Sequence, residues 1–178
     1  DLNEKGLEEK LAHYQLSMED IKSSVRDMSL VKAFVELHIE QGAYLASEGY
    51  DIGVVDGIVG ITRYQVRVSG ESNHAGTTPM KLRKDPVTAA AAIIKMIHEK
   101  ALEYGHPFVA TVGNIEVQPG MYNVIPSEVT LYLEMRDLEQ ARVEQFAKEL
   151  EFSAKKELSE VRVSFELQVN KPSKMLSK

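Results

Sequence analysis

Cysteine is absent from the 178-residue sequence, which therefore has no disulfide framework and no thiolate ligand for a metal ion. Any metal would have to be held by histidine and carboxylate side chains, which are harder ligands. Long apolar runs are absent as well, since none approaches the roughly 20 residues that a membrane-spanning helix needs. The N-terminus lacks the basic and then apolar pattern of a secretion signal. These absences lead us to expect a cytoplasmic protein without a membrane partner.

Positive charge is also scarce. The chain has 21 Lys and Arg residues against 27 Asp and Glu residues, with a formal net charge of -6 and a pI near 5.4. Nucleic-acid grooves need clustered basic residues, so a nucleic acid is not expected as a partner. One well-placed arginine could still bind a small acidic ligand. The hydrophobic content of 43% is enough for one core, or for one domain and part of a second.

Residues 58–169 show strand and helix patterns in a definite order. Apolar residues alternate with polar ones in some stretches and recur with the helical period in others. The patterns predict a strand at 63–68, a helix at 87–101, strands at 108–118 and 129–136, a helix at 143–154 and a strand at 161–169. This is the order of a ferredoxin-like sandwich, in which two helices cover one face of a four-stranded antiparallel sheet. We therefore predict an α+β fold with the element order βαββαβ.

The stretch "FVELHIEQG" (34–42) lies outside that order. Its alternation predicts a strand with apolar residues on one face and Glu36, His38 and Glu40 on the other. An imidazole and two carboxylates are groups that bind a divalent metal, but a half-buried strand with a solvated polar face explains the same pattern. The spacing leaves both interpretations open. Since the strand has no partner in this part of the chain, we expect residues 1–56 to be a piece of a second, larger domain.

The stretch "HAGTTPM" (74–80) lies in a long polar loop between a predicted strand and a predicted helix. Loops on a rigid scaffold often carry function, and Gly76 allows a close approach of the backbone. His74 could donate a hydrogen bond to an oxyanion that develops during a reaction. Alternatively, Thr77 and Thr78 cap and orient the helix start while His74 is merely exposed. The residues alone leave both interpretations open.

Two later motifs offer groups that can bind a ligand. Asn123, in "YNVIP", has an amide that can donate and accept hydrogen bonds at once. Arg136, in "LEMRD", lies at a predicted strand end, where a guanidinium can hold a carboxylate in a bidentate fork. The structural alternatives are an asparagine in a turn and a surface ion pair from Arg136 to Asp137 or Glu134.

Taken together and in this order, the motifs resemble those of a known family. The series is "ELHIEQG", "GVVDGIVG", "HAGTTPM" with Arg83 and Asp85 after it, "TVGNIEVQPGMYNVIPSEV" and "LEMRD". It is similar to the binuclear-metal amidohydrolases of the M20 peptidase clan, in the branch of N-carbamoyl-L-amino acid hydrolase and allantoate amidohydrolase. The resemblance implies three segments: residues 1–56, the end of the first part of an α/β catalytic domain; residues 57–170, the lid and dimerisation domain; and residues 171–178, the return to the catalytic domain.

The resemblance also implies roles for single residues. His38 matches a metal-ligand histidine, and Gln41 lies in the same motif near the substrate. His74 matches the catalytic lid histidine, which binds the reacting group of the substrate and stabilises the tetrahedral intermediate. Asn123 and Arg136 match lid residues that grip the substrate, with Arg136 on its α-carboxylate. Lid residues of this family can complete the active site of the neighbouring subunit, so we expect a homodimer formed through the lid.

The implied activity is hydrolysis of the carbamoyl C–N bond of an N-carbamoyl-L-amino acid or allantoate, with release of carbon dioxide and ammonia. The family uses two divalent ions, for which Zn, Mn, Co or Ni are suitable.

Other metal ligands of the family are missing from this sequence, because no His-x-Asp pair occurs and no histidine follows His106. Since the chain also starts at Asp1 rather than Met, we expect an inactive fragment that binds no metal by itself. The alternatives are an M20-type dipeptidase or N-acyl amino acid deacylase, and a dimerisation module without catalysis.

Overall fold

The structure, a computed structural model, describes residues 4–176. The chain divides into two compact units, one up to Gly53 and one from Val54 onward. No helix within the described residues is both long and apolar enough to cross a membrane.

The first unit contains the helices α1 (Glu4–His13), α2 (Met18–Ser23) and α3 (Tyr44–Glu48). Helix α2 begins with a capping box, in which the Ser17 hydroxyl accepts a hydrogen bond from the Asp20 N–H and the Asp20 carboxylate accepts one from the Ser17 N–H. Helix α3 is followed by the C-cap residue Gly49, whose φ of 76° is in the left-handed region that favours glycine.

The predicted strand in "FVELHIEQG" is wrong, because residues 34–42 form no strand in the structure. The backbone groups of a strand need a partner strand, and the described part of the first unit offers none. The apolar side chains of this stretch are exposed instead, with Val35 at 90% and Leu37 at 96%. The alternation in the sequence therefore marks a face that no described residue of the first unit covers.

A four-stranded antiparallel sheet forms the centre of the second unit. The strands of this unit are β1 (Gly57–Ile58), β2 (Gly60–Ser69), β3 (Asn73–His74), β4 (Val109–Gln118), β5 (Val124–Ile125), β6 (Glu128–Asp137), β7 (Arg162–Lys171) and β8 (Lys174–Met175). The long strands lie in the order β4-β6-β2-β7, and each pairs antiparallel with its neighbours. With the helices α4 (Pro86–Tyr104) and α5 (Gln140–Glu157), the order is βαββαβ, and the predicted α+β sandwich is confirmed.

Both long helices pack on one face of this sheet. Helix α4 begins at Pro86. Its N-cap residue is Asp85, whose carboxylate accepts a hydrogen bond from the Val87 N–H at 2.9 Å. The core between the layers consists of apolar side chains from both helices and from alternate strand positions, among them Val66, Ile93, Leu131, Met135 and Phe146, each at 0% exposure. Burial of this one face explains the period of two in the strands and of 3.6 in the helices.

The opposite face of the sheet is polar and open. Its strand positions carry charged side chains that pair across neighbouring strands, such as Arg63 with Glu134 at 2.7 Å and Arg67 with Glu166 at 3.3 Å. Arg136 lies on this face as well.

Short strands mark the two ends of the sheet. At one end, β1 pairs with β8, and Gly60 of β2 pairs with Asp137 of β6. At the other end, β3 pairs with β5, and the Gly70 N–H donates to the Ser127 carbonyl at 2.9 Å. The candidate residues of the second unit are distributed between these two ends.

Candidate substrate-binding site

The loop with "HAGTTPM" leaves β2 and is closed tightly at its base. The Glu71 N–H donates to the Lys84 carbonyl at 3.0 Å, which joins the two ends of the loop just before α4. Gly70 lies against the same carbonyl so closely that a Cβ at this position would be 2.0 Å from the Lys84 oxygen. Only glycine fits there, and the close contact fixes where the loop starts and ends.

Arg83 braces the inside of this loop. Its Nη2 donates to the Ala75 carbonyl at 2.6 Å and its Nε donates to the Thr78 carbonyl at 3.1 Å. The Thr78 hydroxyl in turn donates to the His74 carbonyl at 2.8 Å. A charged guanidinium that bonds two backbone carbonyls is a strong support, so the His74 backbone is held before any ligand arrives.

The imidazole of His74 is exposed and has one contact within its own loop. The Gly76 N–H donates a hydrogen bond to Nδ1 of the ring at 3.0 Å. Thr77 and Thr78 do not cap helix α4, as the structural alternative proposed, because the N-cap residue of this helix is Asp85. The threonine hydroxyl of this loop supports His74 instead.

Asn123 lies directly beside His74. The pairing of β3 with β5 places His74 opposite Val124, and the Ala75 N–H donates to the Asn123 carbonyl at 2.9 Å. Asn123 follows the turn residue Tyr122, and both are exposed. The fold therefore brings together two candidate residues that are far apart in the sequence.

Arg136 pairs with Glu134, as one of the structural alternatives proposed. Both Nε and Nη2 of Arg136 contact the same Glu134 oxygen, at 2.7 and 2.6 Å, while Arg63 holds the other oxygen at 2.7 Å. The hydrogen bond from Arg63, aided by the one from Arg136, lowers the pKa of the Glu134 carboxyl and outweighs its partial burial. The other alternative, Asp137, points to the buried face and pairs with Arg142 at 3.3 Å.

The structure does not bring Arg136 near His74. Strand β6 begins at Glu128, at the end of the sheet where His74 and Asn123 lie, and Arg136 is near its other end. The eight residue steps from Glu128 to Arg136 correspond to about 26 Å at about 3.3 Å per residue. One small molecule cannot touch both ends within a single chain.

The candidates of the first unit lie in the stretch that forms no strand. The Nδ1 nitrogen of His38 is hydrogen-bonded to the Ile39 carbonyl, and Glu40 accepts hydrogen bonds from the N–H groups of Tyr44 and Leu45 at the start of α3. Gln41 is exposed and has a φ of 57°. Within residues 4–176, no group of three or more His, Cys, Asp or Glu side chains could hold a metal ion.

His38 nevertheless fits a single metal ligand. A carbonyl can only accept, so Nδ1 carries the proton and Nε2 keeps the lone pair that a metal needs. Metal-binding histidines commonly donate their other N–H in this way. The Glu40 carboxylate is occupied by the N–H groups of Tyr44 and Leu45, so the set of Glu36, His38 and Glu40 does not act as one cluster in this structure.

A cavity of about 250 Å³ lies elsewhere, between α5 and the strands β2 and β7. It is lined by residues such as Tyr64, Gln140 and Phe165, and none of the candidate residues borders it. The candidate residues of the second unit lie instead on the exposed loop and on the open sheet face.

Similarity to known proteins decides the family. A family model described as the peptidase dimerisation domain of the M20 group matches residues 57–162. The chain belongs to this M20 peptidase dimerisation domain family. The resemblance inferred from the motifs is thereby confirmed at the level of the family.

Relatives of this M20 domain include an allantoate amidohydrolase of Escherichia coli (strain K12), 49% identical over 121 residues. Another is an N-carbamoyl-L-amino-acid amidohydrolase of Pseudomonas sp. (strain NS671), 43% identical over 129 residues. The matches cover 68% and 72% of this chain but only 29% and 31% of those proteins. The chain thus spans less than a third of the length of these relatives.

A solved structure is similar over almost the whole M20 chain. It is an amidase of the hydantoinase/carbamoylase family from Burkholderia phymatum, with a TM-score of 0.76 and 30% sequence identity. The match covers 96% of this chain and 46% of that one.

The sequence motifs do not reveal the residues that hold the His74 loop in place. Arg83 is only one member of the motif series, and Gly70 lies outside the motifs. Their roles depend on backbone carbonyls of the loop, which no spacing rule reveals.

Proposed function

We propose that this chain is part of a metal-dependent amidohydrolase that cleaves the carbamoyl C–N bond of N-carbamoyl-L-amino acids or of allantoate. The observation that carries the proposal is the braced loop at His74, where an exposed imidazole lies beside Asn123 on a backbone that Arg83 holds. The names of the relatives support the reaction class.

Three residues of the second unit are assigned to the two ends of the substrate. His74 donates a hydrogen bond to the carbonyl oxygen of the ureido group, and Asn123 beside it holds the same end of the molecule. Arg136 holds the α-carboxylate. Its contact with Glu134 uses Nε and Nη2, which leaves Nη1 outside that ion pair for a ligand.

In the first unit, His38 is assigned to a metal ion through Nε2, and Gln41 to the substrate nearby. Two divalent ions, for which Zn, Mn, Co or Ni are suitable, would supply an activated water and polarise the carbonyl when bound. The remaining ligands have to come from residues other than the described part of this chain. We further propose a cytoplasmic protein that binds a small-molecule substrate and no nucleic acid, in line with its net charge of -6.

A homodimer is part of the proposal. Because Arg136 is about 26 Å along β6 from Glu128, at the end of the sheet where His74 lies, we assign the site to His74 of one copy and Arg136 of another. Strand β4 is an edge strand of the sheet, and its apolar side chains Ile115 and Val117 are 49% and 37% exposed. An unpaired edge with apolar neighbours is suited to join two copies of the sheet.

Complementation in the longer protein that carries this chain tests the proposed roles and the dimer together. The His74→Ala and Arg136→Ala variants should each be inactive on N-carbamoyl amino acids, allantoate and dipeptides assayed side by side. After mixing and exchange of subunits, half of the dimers would be mixed, and each of these would contain one intact site. Activity should then return to about a quarter of the unmodified level. No return of activity would refute a shared site.

The 178-residue chain by itself offers a second test. One histidine cannot hold two ions, so we expect no hydrolysis of any of these substrates by the purified chain. Measurable hydrolysis would contradict the proposal that further ligands are required.

A non-catalytic role in dimerisation is the second candidate, and the description of the matching family favours it. Sedimentation analysis of the purified chain distinguishes this role. A chain that stays monomeric at high concentration would count against the dimer in both proposals.

A further inference from the structure

We propose that Gly76 is a positioning residue for His74, because its backbone N–H fixes the neutral imidazole in the tautomer that carries its proton on Nε2. His74 then presents a hydrogen-bond donor to a ligand and not a lone pair. The tautomer follows from the contacts of the loop alone, whereas its use on a substrate carbonyl rests on the proposed function.

The assignment of the proton follows from the nature of the two groups. A backbone N–H can only donate, so the hydrogen bond of 3.0 Å from Gly76 to Nδ1 requires a lone pair on Nδ1. A neutral imidazole has one proton, which must then be on Nε2. In histidines generally, the hydrogen bond made by one ring nitrogen decides the state of the other.

The peptide group that makes this contact is held from its other side. The Gly76 N–H belongs to the same planar peptide unit as the Ala75 carbonyl, and that carbonyl accepts the hydrogen bond of 2.6 Å from Arg83. Arg83 therefore orients the plane that points the Gly76 N–H at the ring. The Ala75 N–H donates to the Asn123 carbonyl at 2.9 Å, which ties the preceding peptide to the residue just before β5.

Glycine at position 76 also makes room for the ring. A Cβ at this position would lie 3.1 Å from Cε1 and 3.4 Å from Nδ1 of His74. The ring would have to move away by a few tenths of an ångström, which lengthens the hydrogen bond to Nδ1. The glycine is thus needed for close approach of the imidazole.

The chemical benefit is a donor in the correct place before the reaction starts. An N–H that is already oriented stabilises negative charge as it develops on a carbonyl oxygen, with no reorganisation cost. The other tautomer would direct a lone pair at that oxygen and repel it.

The tautomer can be measured by NMR on the uniformly ¹⁵N-labelled 178-residue chain, with the His74 ring signals assigned by their loss in His74→Gln. At a pH where the ring is neutral, long-range ¹H–¹⁵N correlations should show Nδ1 unprotonated and Nε2 protonated. Gly76→Ala should move these shifts toward the average of a tautomer mixture. Gly113→Ala is the matched control, because a Cβ at Gly113 meets nothing within 4 Å. The backbone amide spectrum of each variant verifies that it is folded.

A proton on Nδ1, or an equal mixture of tautomers, in the unmodified chain would overturn the proposal, and so would a folded Gly76→Ala variant with unchanged ring shifts. In the longer active protein, Gly76→Ala should lower kcat by about 10- to 100-fold, part of the loss seen when one oxyanion donor is removed, with a smaller change in KM. If the NMR result holds but the unmodified longer protein hydrolyses no ureido substrate, the proposed function fails while the fixed tautomer stands.

Discussion

Gly70→Ala tests the inference that the loop at His74 is held from its base. A Cβ at Gly70 would lie 2.0 Å from the Lys84 oxygen and 2.7 Å from Cδ of Pro86. Neither atom is at the end of a flexible side chain, so the backbone itself has to move. The movement would separate the two backbone segments that the Glu71 N–H and the Lys84 carbonyl join at 3.0 Å.

The expected cost can be estimated from the bonds at this point. The clash disrupts the bond from Glu71 to Lys84 and the bond from Gly70 to Ser127, each worth about 1 kcal/mol. It also displaces Asp85, whose cap on α4 is worth about 1 kcal/mol. Together they give a loss of about 3 kcal/mol in the free energy of unfolding, or a decrease of about 10 °C in Tm for a unit of this size.

Urea and thermal unfolding of the purified chain, followed by circular dichroism, measure this loss. Gly113→Ala serves as the control, since a Cβ there meets no atom within 4 Å, and it should change stability by less than about 0.5 kcal/mol. A Gly70→Ala variant as stable as this control would refute the reasoning, because the loop would then be free to shift at no cost.

Three other substitutions test the core, the charged face and the dimer. Phe146→Ala removes a fully buried ring from the core and should cost about 3–5 kcal/mol in urea unfolding. Glu134→Gln should lower stability by less than about 1 kcal/mol at pH 7. Its deficit should vanish as the pH falls through the lowered pKa of Glu134, since the native carboxylate stabilises the fold only while ionised; a constant deficit across a pH series would contradict this. Val117→Lys places a charge on the exposed edge strand β4 and should weaken dimerisation in sedimentation analysis, whereas an unchanged dimer would move the interface elsewhere.

The fold of the second unit could be predicted because its packing is one-sided. Val66 and Leu131 are fully buried while Arg63 and Arg67 point to the open face, and this contrast appears in the sequence as alternation. The same argument fails for "FVELHIEQG". Its alternation is as regular, but a strand exists only when its backbone has a partner, and the described part of the first unit has none.

The reactive side chains of the candidate site could be predicted from the sequence, but the residues that hold its loop, Arg83 and Gly70, could not. His74 and Asn123 could be chosen because an exposed imidazole and amide in loops have chemical uses. The role of Glu40 could not be predicted correctly from the sequence either. The strand pattern puts it on the same face as His38, but its carboxylate accepts hydrogen bonds from the first N–H groups of α3. Gly42 leaves room for this carboxylate, since a Cβ there would lie 3.2 Å from Oε1 of Glu40.

The length of the sheet explains why the proposed site is divided between two copies. Arg136 is fixed by its pairing with Ile61 in β2 and with Val109 in β4, so it cannot shift toward His74 unless both ladders break. Each hydrogen bond lost would cost about 1 kcal/mol, and Arg136 is about 26 Å along β6 from Glu128, at the end of the sheet where His74 lies. A second copy avoids this cost, because a two-fold axis can place the His74 end of one sheet near a substrate held by Arg136 of the other. The pairing of β6 with β2 and β4 thus makes the sheet rigid and also keeps Arg136 away from His74 of the same chain. Any change that shortens β6 should therefore disturb both the sheet and the shared site.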